Sequence, residues 1–322
     1  MRPALIRAIT ILLLLGVLDA QDGPPRIIVA AEISPGSLYP IGRFVEGRWL
    51  DTWPPPVETP DRRTPGRTAS PPLPSLDRLP LEWLGGPAPR QWTLHHRTGA
   101  ATAITIEGLR RGDGGCVDPL EIVFSPGGAV PAPVPAEWLP IGLATAASLP
   151  IEGFRRVTTG PEYDRVNAAI EELYRAREPS LMSQIYPSWR EAALKASATS
   201  PRGLTLRWFS RPAGDTTPLV YYFEARRPFA GSESVLGLKI SGWLRRGADG
   251  SLEPMSVEGG MFGTDSAESG GSEVRLPRGV LQIGRRTFWI MSVSGYESFG
   301  FRVYELTDRG MEPRLSASHG GC

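Results

Sequence analysis

From Leu204 onward the chain alternates strand-forming segments with tight turns, and this feature constrains its fold more than any other. The segments run "LTLRWF", "LVYYFEARR", "VLGLKISGWLRR", "LEPMSVEGGMF", "GVLQIG", "RTFWIMSVS" and "FGFRVYELT". Among their connections, "GADGS", "IGRR" and "TDRG" have the composition of tight turns. Parallel pairing needs a long crossover, so connections this short imply an antiparallel meander. In the last segment Phe299, Phe301, Val303 and Glu305 alternate with Gly300, Arg302, Tyr304 and Leu306, which makes one face largely apolar and the other mixed. No segment repeats closely enough to suggest a propeller.

The first half reads as strand too, but proline interrupts it. "RIIVAAEI" is a strand, "IGRFVEGRWL" a hairpin around Glu46 and Gly47, and "QWTLHHR" with "ATAITIEGL" a second hairpin. "LEIVFS", "IGLATAASL" and "IEGFRRVT" supply further strands. Residues 54–80 are dominated by proline, which lacks the N–H that either ladder needs, so an irregular loop is expected there.

One strong helix begins at "TGPEYDRVNAAIEELYRARE". Thr159 and Glu162 have capping-box spacing, and Pro161 falls in the first turn. Tyr163, Val166, Ile170 and Leu173 share one face. Pro179 disfavours helical geometry in the residue before it, so the helix should stop at Glu178. "PSWREAALKAS" suggests a second helix.

The expected fold is mainly β: antiparallel sheets, as a meander, sandwich or partial barrel, with a small helical insert. The divisions are a leader at 1–20, a β-rich region at 21–158, the helical insert at 159–198 and the β meander at 199–322.

Residues 1–20 resemble a secretory signal, with Arg2 and Arg7 ahead of a short apolar run and Leu18 and Ala20 at cleavage positions. No later segment is apolar enough for a membrane helix, so no transmembrane segment is expected once the signal is removed. Lys195 and Lys239 are the only lysines among 35 basic residues, and Asn167 is the only asparagine. That bias points to a GC-rich, bacterial coding sequence, so the arginines are not a nucleic-acid signature. The net charge of +1 leaves no electrostatic footprint for a polyanion. The expected location is periplasmic or extracellular.

The only two cysteines, Cys116 and Cys322, each follow Gly-Gly. In an exported chain they are expected to form a disulfide, which would stabilise by roughly 5 kcal/mol in the chain-entropy picture. The absence of CxxC argues against thioredoxin-type redox chemistry and a cysteine zinc knuckle.

Motifs for catalysis are sparse. His95 and His96 are adjacent on a strand, where they point to opposite faces and cannot easily bind one metal together, and His319 lies near the chain end. With no demand for a metal or catalytic role, they read as surface histidines beside Trp92. There is no G-x-S-x-G elbow, no S-x-x-K around Lys195 or Lys239, and no phosphate-binding G-K-S/T. "GTDSAESGGSE" lacks the ligand rhythm of a calcium loop. A carboxylate pair could come from Glu253, Glu258, Asp265 or Glu297. No cofactor is implied.

The nine tryptophans are the most suggestive class. Most are expected to fill the core, Trp243 and Trp289 foremost, whereas Trp53 and Trp83 flank the proline loop and are the candidates for stacking on a ligand. The resulting expectation is an exported, non-catalytic protein of the envelope or medium that binds a glycan or polypeptide. The alternatives are a secreted hydrolase with a carboxylate pair and a structural or assembly subunit.

Overall fold

The structure is a computed structural model. It describes residues 27–51, 90–96, 100–111, 120–127, 142–146, 149, 151–154, 159–185, 187–199, 203–210, 219–229, 237–262, 274–295 and 298–320. Trp53, Trp83, Trp138, Cys116, Cys322, Asp265 and Glu297 lie outside these ranges, as does the leader, so the expectations placed on them fall outside the described residues.

The N-terminal strands are β1 (Ile27–Ser34), β2 (Ser37–Val45), β3 (Arg48–Leu50), β4 (Gln91–His96), β5 (Ala101–Arg111), β6 (Leu120–Pro126), β7 (Gly142–Thr145) and β8 (Ile151–Glu152). Helices α1 (Pro161–Ser183) and α2 (Pro187–Thr199) follow. The C-terminal strands are β9 (Thr205–Ser210), β10 (Val220–Pro228), β11 (Gly237–Arg246), β12 (Leu252–Phe262), β13 (Val274–Ile283), β14 (Arg286–Gly295), β15 (Ser298–Thr307) and β16 (Gly310–Gly320).

Every strand pairing is antiparallel. The first sheet runs β1-β7-β4-β5-β6-β2-β3, and β1 also pairs β2, so six strands curl into a barrel closed by a short β6–β2 seam. The second sheet runs β12-β11-β10-β9, and the third β16-β15-β14-β13-β8. β8 belongs to the N-terminal half in sequence yet extends the C-terminal sheet.

These units stack in layers. The barrel interior is apolar, built from Ile28, Leu38, Trp92, Leu94, Ile104, Ile122, Phe124 and their neighbours. The outer face of the barrel wall, including Val29, Ile41, Phe44 and Trp49, packs on Phe288, Ile290, Phe301 and Val303 of the five-stranded sheet. The opposite face of that sheet presents Trp289, Met291 and Tyr304 to Val220, Tyr222 and Trp243 of the four-stranded sheet. The far face of the latter carries Tyr221, Phe223, Leu238 and Ile240 beneath the helices, which contribute Val166, Ile170, Tyr174 and Leu181. Both middle sheets are thus covered on both sides, which explains near-continuous apolar runs such as Val220–Phe223 and Phe288–Met291. The face of β15 that reads as mixed is therefore also interior, with Tyr304 only 6% exposed.

Two local readings of α1 need correction. The helix passes through Pro179 to Ser183 instead of stopping at Glu178. Leu181 is buried in the helix–sheet core and Glu178 pairs with Arg227 of β10, so tertiary contacts on both sides of the proline offset the missing backbone bond. The helix start has no side-chain cap: Gly160 is the N-cap, and Glu162 instead accepts a hydrogen bond from the Tyr221 hydroxyl.

Candidate functional site

Five tryptophans whose side chains are described serve the core. Trp49, Trp92, Trp208, Trp243 and Trp289 are all buried, and three of them anchor aromatic clusters that join layers. Trp49 meets Phe288 edge-on across the barrel–sheet boundary, Trp289 packs at 4.9 Å from Phe154, and Trp243 at 4.8 Å from Tyr304.

The histidine pair divides as strand geometry requires, but the surface reading of it is corrected. His96 is buried on the inner face of the barrel wall and His95 is half-buried on the outer face. Burial pushes both imidazoles below their ordinary value. β16 runs through position 319, so that histidine belongs to a strand.

The acids suggested for a catalytic pair are not arranged as one where they are described. Glu253 is exposed, and Glu258, 56% exposed, lies 2.7 Å from Arg275. Among the described residues, no three His, Cys, Asp or Glu side chains converge as a metal site would require.

Sequence reasoning passed over a cleft of about 640 Å³ at the ends of β11, β13, β14 and β15. Its walls carry Arg245, Arg285, Arg286, Glu305, Thr307 and Asp308. The hairpin from β13 to β14 turns at Gly284, whose φ of +60° suits the first central position of a type II′ turn. That turn sets Arg285 at the exposed tip, with no partner among the described residues.

The neighbouring arginine is fully engaged. Arg286 donates to both oxygens of Glu305 and, through Nη1, to the Gly47 carbonyl at 2.6 Å. Its guanidinium lies over the rings of Phe44 and Phe288 at 5.2 and 5.0 Å. Arg314 adds a third donor to Glu305 at 2.6 Å. The hydrogen bond from Arg286, outweighing the effect of burial, holds the Glu305 carboxyl below its ordinary range and raises Arg286. Glu305 is therefore neutralised within the wall. Arg245 spends Nη2 on the Thr307 carbonyl, a partner without net charge. Among the described residues Arg245 and Arg285 are left facing only the carboxylate of Asp308, so the described lining of the cleft is net positive. Leu306 is the single large apolar side chain in it. The signal for this site was present only as scattered arginines in two different hairpins, and the fold brought them together.

The chain matches no protein-family model, no curated protein and no solved structure. Among the described residues no helix is long and apolar enough to cross a membrane.

Proposed function

We propose that this protein is an exported, non-catalytic binding protein of the bacterial envelope or medium, and that the arginine cleft holds an acidic glycan. The observation that carries this reading is the pair Arg245 and Arg285, offset among the described residues by Asp308 alone, beside the self-neutralised Glu305 cluster. Guanidinium groups match the planar carboxylate of a uronic acid, and the hydroxyl and amide groups around them suit sugar hydroxyls. A polypeptide is less well served. The lining offers it one apolar contact, and two of the edge strands, β12 and β16, carry Pro254 and Pro313 together with pairing irregularities that discourage strand addition.

The test is calorimetric titration with sodium polygalacturonate, using neutral dextran as control. Binding that is specific to polygalacturonate, weakens with salt and falls at least tenfold in Arg245→Ala/Arg285→Ala supports the reading. Absence of binding, or binding that the double variant retains, overturns it.

Export rests on the leader-like residues 1–20. The Cys116–Cys322 disulfide gains support from the segments flanking it. Gly320 pairs with Phe299, whose ring lies 6.1 Å from Tyr39, and Tyr39 bonds Glu121 at the end of the segment that carries Cys116. Intact mass of secreted protein tests both proposals. The expected species starts near Gln21, is monomeric, and has two thiols that alkylate only after reduction.

A further inference from the structure

The barrel contains one carboxyl that its fold does not satisfy. Glu32 of β1 is 1% exposed, and its Oε2 has no hydrogen-bond partner. It faces inward, on the same side of β1 as Ile28 and Ala30. Glu32 pairs with Gly142 of β7, and Gly142 pairs with His96 of β4, so the acid and the imidazole occupy one row across three strands. Gly142 is required between them: a Cβ there would sit 2.6 Å from the His95 carbonyl oxygen and 3.1 Å from Leu94 Cδ1. Two strand spacings amount to about 10 Å, which inward curvature reduces at the side-chain tips. The row lies at the mouth marked by the β1–β2 and β4–β5 turns, and His96 Nε2 is 3.1 Å from Thr102 Oγ1 across the second of these.

The elements around Glu32 offer it little else that is charged. Its inward neighbours are Leu38 on β2, Leu94 on β4, Ile104 on β5, Phe124 on β6 and Ala144 on β7, all apolar. His96 is the one titratable group described on the inner face at this end. Glu121 of β6 is turned outward to Ser37 and Arg110, and Arg43 of β2 pairs with Ile28 at the opposite end.

We propose that Glu32 and His96 form a proton-operated latch at this mouth of the barrel, closed while both side chains are neutral and loosened when Glu32 gives up its proton. A carboxylate without a partner in an apolar interior is strongly disfavoured, and opening the mouth to water relieves it. Burial lifts the Glu32 pKa from 4.5 to about 7. A folded-state value raised above the open-state value means that the closed form is favoured below the ordinary carboxylate range. That preference is lost as pH rises through about 7. The gap sets an upper limit of roughly 300-fold on the change in the opening equilibrium. His96 works in the opposite sense: burial resists its protonation, so its contribution to closure is full above its ordinary value of 6.5 and is lost as pH falls through its lowered one. The latch is tightest between these two limits.

Hydrogen exchange of the whole protein, corrected for intrinsic pH dependence, tests the latch at pH 5.5 and 8.5. The expected result is at least threefold faster exchange at pH 8.5 for peptides covering β1, β4 and β7, because deprotonation of Glu32 outweighs the opposing His96 effect over this range. β14 should be unaffected, and Glu32→Gln should abolish the difference. No acceleration at the mouth, equal acceleration in β14, or acceleration that survives in Glu32→Gln would overturn the proposal. Should Glu32→Gln not fold, carbon NMR titration of the Glu32 carboxyl in the wild type decides: a value near 4.5 rejects the latch and one near 7 sustains it.

Discussion

Arg286 grips both carboxylate oxygens of Glu305, with Nε 2.6 Å from one and Nη2 2.8 Å from the other, and this fork ties β14 to its neighbour β15. The same guanidinium reaches the Gly47 carbonyl in the β2–β3 hairpin and covers Phe44. Removing it leaves a buried carboxylate with Arg314 alone and frees the barrel hairpin. Arg286→Ala should destabilise by about 2 kcal/mol, and Arg286→Lys by nearly as much, because an ammonium cannot reproduce the fork. Urea unfolding of the three proteins checks this.

The pair also sets an acid limit. Glu305 has its folded-state value pushed below the ordinary carboxylate range, chiefly by the Arg286 hydrogen bond. Its contribution is therefore fully present above the unfolded value and is lost as pH falls through the folded one. Wild type should lose thermal stability below about pH 4.5 more steeply than Glu305→Gln. Melting scans from pH 7 to pH 3 give the comparison, and parallel curves would contradict it.

Pro179 sits exposed within α1, where it removes a backbone hydrogen bond. Pro179→Ala should stabilise the protein by about 1–3 kcal/mol, since the contacts on either side already hold the helical path. A lower melting temperature in the variant would show that the proline is needed for the local geometry.

Trp289 is fully buried between the two middle sheets, against Phe154 and the Tyr222–Trp243 cluster. Trp289→Ala should lose about 3–5 kcal/mol through lost burial and an unfilled cavity, detectable as a large shift in denaturant midpoint.

Glu258, considered for a catalytic pair, is itself exposed and pairs with Arg275, whose side chain is largely buried. Glu258→Gln should change stability by less than about 1 kcal/mol. A loss above that would mean that the pair is coupled to the buried polar groups between the sheets.

Alternation and turn chemistry in the sequence determined most of the strands, though not β16, together with their antiparallel pairing, the helical insert and the burial of Trp243 and Trp289. These follow from local rules: strand side chains alternate with period two, and a short turn permits only an adjacent antiparallel partner. What lies on the unstated side of each strand is a matter of layering. The mixed face of β15 could have met water, yet a second sheet covers it. The end of α1 shows the same dependence, because Leu181 and the Glu178–Arg227 contact outweigh a proline that by itself should have stopped the helix. His96 and Glu32, far apart in sequence and each unremarkable there, share a buried row only because β7 inserts between β1 and β4. Arg245, Arg285 and Arg286 share a cleft because β11 ends beside the β13–β14 hairpin. Local propensity acts over a few residues. Desolvation and charge act on whatever the fold brings within a few ångströms, and only the tertiary structure decides that.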